Sequence, residues 1–263
     1  MTAALQLRGI RHGFDAVPVL DHVDLTVRCG ETVCIIGPSG CGKSTLLQIG
    51  AGLLVPSEGS VVLDGLAITG RPGSVAFMPQ NDLLFPWRSA AGNVATALEI
   101  QGTSRGEALA HAERLLGSVG LGAIAPDDVR RLSGGMRQRV AFVRTLAQHR
   151  PAMFLDEPFG ALDQLTRASL HQWFRDTTRT RPAAVVIVTH DPGEAVMLGD
   201  RVIVMTPQPG RIGAVIDVEL PEDRASALVH SDTFVAIERD VRRALATRAS
   251  APSHQHSTTE VPS

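Results

Sequence analysis

A single lysine, Lys43, occurs in this chain, although lysine and arginine together number 25. It lies in the run Gly37-Pro38-Ser39-Gly40-Cys41-Gly42-Lys43-Ser44-Thr45. Arginine occupies every other basic position, so this one calls for a slim, flexible ammonium and rejects a broad planar guanidinium. A phosphate-binding loop makes that demand. Its glycines let backbone N–H groups close around phosphate oxygens while one point charge reaches between the terminal phosphates. Biased codon usage accounts for the arginines but not for where the lysine stayed. Two adjacent carboxylates, Asp156 and Glu157, follow the apolar run 152–155. Asp156 suits Mg²⁺, usually through water, because that ion keeps part of its hydration shell. Glu157 suits the acceptance of a proton from a water attacking the γ-phosphate.

Further groups fit the same chemistry. Ser44 offers a hydroxyl to Mg²⁺, and Gln80 a carbonyl. His190 follows the apolar run 185–188 and could contact the γ-phosphate while steadying the attacking water. Ser133, Gly134 and Gly135 open a helical pattern, presenting free N–H groups and a hydroxyl to an anion. Each has a plainer reading when taken alone: a capped turn for the acidic pair, an ordinary N-cap for Ser133, a buried histidine for His190. The glycine-lysine loop by itself arises by chance in roughly one chain of this length in a hundred. Order decides for nucleotide binding, since the helix start stands just before the acidic strand and the loop lies upstream of both.

The elements that must position these groups are legible from pattern. Residues 31–36 form a short β-branched, apolar run that reads as a buried strand, and 46–49 begin a helical pattern. Strand, loop and helix therefore come in the order a phosphate site needs, with the helix N-terminus under the phosphates. Alternation predicts strands at 5–10, 23–27 and 60–63. From about 81 to 150 the pattern turns helical, with Ser104 and Glu107 as a capping box before an apolar stripe. Strands are expected at 152–155, 184–188, 201–205 and 212–218, and a last amphipathic helix at 231–245. The end, 250–263, is rich in Ser, Thr, Pro and His and reads as disordered.

Bulk properties narrow the class. At 263 residues the chain holds one large domain or two lobes. A net charge of -2 with 20% charged residues marks no nucleic-acid partner. No apolar run is long enough to span a bilayer, and no signal-peptide pattern opens the chain. Cys29, Cys34 and Cys41 are odd in number and crowd one strand, which fits a reducing compartment better than a disulfide framework. Their spacing lacks the paired form of a zinc site.

Taken together, these motifs resemble those of the ATP-binding cassette family, the ATPase subunits of ABC transporters, over residues 5 to about 216. The resemblance implies an α/β fold: a P-loop NTPase cassette with a RecA-like core, an antiparallel β subdomain and an α-helical signature subdomain. It places an ATP-binding domain at 1–248, with the helical subdomain at about 81–150, and a tail at 249–263. Gly37, Pro38, Ser39, Gly40, Cys41, Gly42, Lys43, Ser44 and Thr45 then make up the Walker A loop with its flanking residue. Residues 153–156 end the Walker B strand. Residues 132–138, with Ser133, Gly134 and Gly135, are the signature. Gln80 matches the Q-loop, Asp163 the D-loop and His190 the switch histidine. Phe14 falls where the family stacks an aromatic on adenine.

By the same resemblance ATP and Mg²⁺ are the cofactors, with Ser44, Gln80 and Asp156 as the metal's ligands. Glu157, His190 and Lys43 carry the hydrolysis. Two cassettes stack head to tail, each signature covering the other's ATP, so a homodimer or a pair of cassettes is implied. Residues 159–163 with Thr166 and Arg167, the run 83–87 and the turn 207–212 are similar to importers for nitrate, sulfonates and taurine. That subgroup implies membrane permease subunits, indirectly a solute-binding protein, and a place on the cytoplasmic face of a bacterial membrane. Trp87 then either docks a permease helix or packs within the helical lobe. A non-transport ABC ATPase and an exporter cassette are the alternatives. The first usually carries tandem cassettes or basic extensions, and the second is often fused to membrane spans.

Overall fold

Five-residue apolar strands, buried along their whole length, form the centre of the computed structural model, which describes residues 5–249 except 181, 222, 223 and 225. The chain begins with strands β1 (Leu5–Phe14) and β2 (Val17–Val27), then β3 (Thr32–Ile36) and helix α1 (Lys43–Gly50). Strands β4 (Glu58–Leu63), β5 (Leu66–Ala67) and β6 (Ala76–Met78) lead to helices α2 (Ala90–Glu99), α3 (Arg105–Ser118) and α4 (Gly134–Leu146). Then come β7 (Ala152–Asp156), α5 (Gln164–Thr180), β8 (Ala184–Val188), α6 (Pro192–Leu198), β9 (Arg201–Met205), β10 (Ile212–Asp217) and α7 (Asp232–Ala249). The disordered tail expected at 250–263 lies outside the described residues.

Two sheets result. One is antiparallel, in the order β2-β1-β4-β5; the other has six strands in the order β10-β9-β3-β8-β7-β6 and is parallel except for β10. Successive residues of a strand point to opposite faces, so each central strand serves two cores. Val33, Ile35, Phe154, Val186 and Ile203 face α1 and the antiparallel sheet. Cys34, Ile36, Leu155, Ile187 and Val204 face the helices on the other side. Helix α1 lies so close to β7 that a Cβ on Gly50 would stand 2.2 Å from the Phe154 ring. Strands β3, β7 and β8 thus bring the phosphate-type loop, the acidic pair and His190 out at one edge, where open parallel sheets place their ligands.

The structure refines several expected boundaries. Strands β1 and β2 run on to meet at a hairpin turn, Asp15-Ala16, where both residues have positive φ. Alternation fades beyond Ile10 because the pairing shifts register there, with Gly9 at φ 56. The segment 81–89 is not helical: the fully buried Asn93 side chain accepts from the Phe85 N–H at 2.7 Å and donates to the carbonyls of Phe85 and Ser89. The Ser104 cap, the strands at 184–188 and 201–205 and the last helix stand where pattern places them.

Candidate nucleotide site

Helix α1 starts without a side-chain cap. Its N-cap is Gly42, at φ 95, and its first turn holds no acidic residue. The opening amides, those of Lys43, Ser44 and Thr45, thus meet no competing side-chain oxygen at the cap, and the helix dipole adds partial positive charge there. Lys43 Nζ lies over the loop, donating to the carbonyls of Gly37 at 2.8 Å and Pro38 at 2.9 Å. The loop is braced from behind. A Cβ on Gly42 would meet Leu20 at 2.7 Å, and one on Gly210 would meet the Cys41 carbonyl at 2.0 Å. Gly210 is tied in turn to β2, donating to Val19 O and accepting from the Asp21 N–H. Cys41 is buried, and that burial pushes its thiol up despite the nearby Lys43 ammonium.

Asp156, at the end of β7, is 5% exposed. Burial pushes its carboxyl above the ordinary range; the Ser44 hydroxyl opposes this by hydrogen-bonding to it, and the Glu157 charge adds to the rise. Oxygen donors from Ser44 and Asp156 thus stand together, with the Gln80 amide at the neighbouring Glu157. One carboxylate with neutral oxygens suits Mg²⁺, which binds through few protein ligands plus water.

Glu157 adopts a left-handed backbone, φ 48, which costs a residue with a Cβ about 1–2 kcal/mol. Its N–H donates to Val188 O at 2.9 Å, and its carbonyl accepts from Gly160 N–H at 3.2 Å and from Gln138 Nε2 at 2.8 Å. The carboxylate then sits between two side chains. Gln80 Nε2 donates to Oε2 at 3.3 Å, and His190 Nδ1 lies 3.4 Å from Oε1. His190 is 70% exposed, so it is not a satisfied core histidine. Asp191 holds it in place by capping α6, accepting from the N–H groups of Gly193 and Glu194 ahead of Pro192.

Lys43, Ser44, Gln80, Asp156, Glu157 and His190 therefore converge. Phe14, Ser133, Gly134 and Asp163 form no hydrogen bond to that group among the described residues. Phe14 is 49% exposed at the hairpin tip, its ring edge-on to His12. Ser133 caps α4, its hydroxyl accepting from Met136 N–H at 3.3 Å, and nothing lies within 4 Å of a Cβ on Gly134. Gly135 packs on the Ala161 carbonyl. Asp163 accepts from Thr166 N–H, which holds its carboxyl below the usual range. Trp87 is 75% exposed, stacked at a tilt on Phe85 rather than packed inside the helical lobe.

Sequence reasoning placed Arg137 and Gln138 in the signature run 132–138 but gave their side chains no role of their own, and it assigned none to Arg144. Gln138 bonds the Glu157 loop. Arg144 donates to the carbonyls of Leu83 and Asp82, and Arg137 Nε reaches Asp82 Oδ2 at 3.0 Å. A signal existed for Gln138: it shares a buried helix stripe with Ala141, Phe142 and Thr145, where an amide must find partners.

The family described as ABC transporter matches residues 20–160, and the chain belongs to that family. It is an ATPase of the ABC cassette fold. The chain is 43% identical over 205 residues to the taurine import ATP-binding protein TauB of Sinorhizobium fredii, covering 78% of this chain and 77% of that one. It is 43% identical over 222 residues to the aliphatic sulfonates import ATP-binding protein SsuB 2 of Burkholderia cenocepacia, covering 84% and 81%. A dimeric, post-hydrolysis structure of the ATP-binding cassette MJ0796 bound to ADP and Pi superposes with a TM-score of 0.75 at 29% identity, covering 82% of this chain and all of that one.

Proposed function

We propose that this chain is the ATP-hydrolysing subunit of an importer for a small solute of the sulfonate, taurine, nitrate or bicarbonate class, working beneath a separate membrane permease. The import names of the taurine and sulfonate relatives support the transport class, and a bicarbonate transport ATP-binding protein, CmpC of Synechococcus elongatus, is 39% identical over 226 residues, 34% of its length. Among the described residues no helix is long and apolar enough to cross a membrane. The exposed Leu83 and Trp87, fixed by Arg144 and Asn93 beside Gln80, give a permease's cytoplasmic helix an apolar seat. A homodimer, or pair of cassettes, on the cytoplasmic face of a bacterial membrane completes the reading, with a solute-binding protein acting indirectly.

In this mechanism the loop amides and Lys43 hold the phosphates of ATP, and Phe14 stacks on the base. Ser44, Gln80 and Asp156 would hold Mg²⁺, which would supply positive charge to offset that of the phosphates. Glu157 takes the proton of the attacking water, while His190 steadies that water and the γ-phosphate. Lys43 stabilises charge as the phosphoryl group transfers. The outward donors at Ser133, Gly134 and Gly135, with Asp163 at the seam, close over the nucleotide of a second copy. Hydrolysis then releases the pair and resets the permease.

The observation that carries this reading is the Glu157 carboxylate held between Gln80 and His190, beside Ser44 and Asp156. Glu157→Gln is expected to keep ATP binding and to lose roughly two to four decades of turnover, the usual span for a general base. Near-wild-type hydrolysis by that variant would remove Glu157 from the role. The same variant, used as bait in solubilised host membranes with ATP and Mg²⁺, is expected to recover a polytopic permease. Recovery of ribosomes or repair proteins instead would sink the importer reading.

A further inference from the structure

Gln138 is only 7% exposed, on the apolar face of α4, yet both ends of its amide are engaged. Nε2 donates to the Glu157 carbonyl at 2.8 Å, and Oε1 accepts from the Ala161 N–H at 2.8 Å. A buried amide is costly unless satisfied, and this one is satisfied on two atoms of a single loop. That loop holds Glu157 at φ 48, a conformation that persists only where surrounding contacts over-determine it. The first turn of α4 meets the same loop, with Gly135 against the Ala161 carbonyl. Arg137 and Arg144 bind the same helix to Asp82 and Leu83, just beyond Gln80. Helix α4 therefore grips Glu157 directly and the segment carrying Gln80 two residues further on.

We propose that Gln138 is a positioning residue for ATP hydrolysis, fastening the Glu157 loop to α4 and so holding the Glu157 carboxylate in place. The inference rests on Glu157 being the proton acceptor. Its consequence is a wire within each copy. A displacement of the α4 N-terminus reaches that copy's own Glu157 through one side chain, and a misplacement on the order of 1 Å at a reacting group can cost about a hundredfold in rate.

The test is Gln138→Met in the full chain, which keeps the length and removes both hydrogen bonds. Its kcat is expected to fall about 10- to 100-fold, with KM and ATP affinity within about twofold and the thermal midpoint within a few degrees. In the Glu157→Gln background, single-turnover rates with and without Gln138→Met should agree within about twofold, because no base remains to be positioned. Gln138→Glu keeps the acceptor for Ala161 but faces the Glu157 carbonyl with a second acceptor, so it should be slow as well. A wild-type kcat in a folded Gln138→Met protein, with Glu157→Gln inactive, overturns the proposal. So does an equal loss in the Glu157→Gln background accompanied by a lowered midpoint in both Gln138 variants, which would mean packing alone. An active Glu157→Gln protein would instead fault the base assignment, a result the same assays separate from failure of Gln138.

Discussion

The two glycine-bearing helix starts of this molecule are built in opposite ways. At α1 the N-cap is Gly42, with no capping side chain, wedged against Leu20 and Val19 and backed by the turn at Gly210. At α4 the N-cap is Ser133, whose hydroxyl is already used on Met136, and Gly134 faces open space. The first start is enclosed by its own fold and stands beside charged and oxygen-bearing groups, Lys43, Ser44 and Asp156. At the second, among the described residues, none of those groups hydrogen-bonds to Ser133, Gly134 or Gly135, and α4 meets the site further along, where Gln138 bonds the Glu157 carbonyl. Glycine at Gly42 thus answers a demand of the fold, which leaves no room for a side chain, whereas at Gly134 the fold makes no such demand.

Four substitutions would break or sharpen that contrast. The largest effect belongs to Lys43→Arg, which keeps the charge but not the shape. Turnover is expected to drop roughly 10²–10³-fold with the fold intact, and an active variant would undo the meaning given to the sole lysine. Gly134→Ala should slow hydrolysis about tenfold by intruding on the nucleotide of a second copy. Its stability should be unchanged or higher by up to about 1 kcal/mol, since alanine is the better helix former. A normal rate in that variant would mean nothing closes on this helix start. Gly42→Ala should behave the other way, losing about 1–3 kcal/mol in chemical denaturation from positive φ and crowding.

The smallest effect is Asp156→Asn. Burial raises the folded carboxyl, so the unfolded chain ionises more readily, and stability is lost as pH rises through the carboxyl range. The neutral variant escapes that loss. Its midpoint at neutral pH should lie about 2 °C above wild type, and the gap should close in acid, where both chains are uncharged at this position. A lower midpoint at neutral pH would contradict the direction of the shift.

How far the sequence carried the reading depends on how local the cause is. Strand β3, the loop and α1 were legible because each is specified within a few residues: β-branched apolar runs, glycines, and a helix start. Strands β8 and β9 were read to the residue because burial on both faces demands apolar runs, unbroken in β8 and interrupted in β9 only by Arg201 at its start. The far ends of β1 and β2 were not legible, because a register shift at Gly9 hides the alternation that would have marked them. The segment 81–89 read as helical from pattern, but the side chains of Asn93 and Arg144 bond its backbone groups, which makes a helix unnecessary there.

The same division holds for the site. Residue type and order alone determined that this chain handles a nucleoside triphosphate: one lysine in a glycine loop, an acidic pair after an apolar strand, and a histidine after another. Those are chemical requirements met within single segments. Only the tertiary structure decided that Gln80 and His190 flank the Glu157 carboxylate, that Ser44 bonds Asp156, and that Gln138 spans from α4 to the loop behind the reaction centre. Even the nearest of these partners, Gln138 and Glu157, are 19 positions apart, and Gln80 and Glu157 are 77 apart. Such contacts exist because parallel strands deliver distant segments to one edge, a geometry no local pattern records.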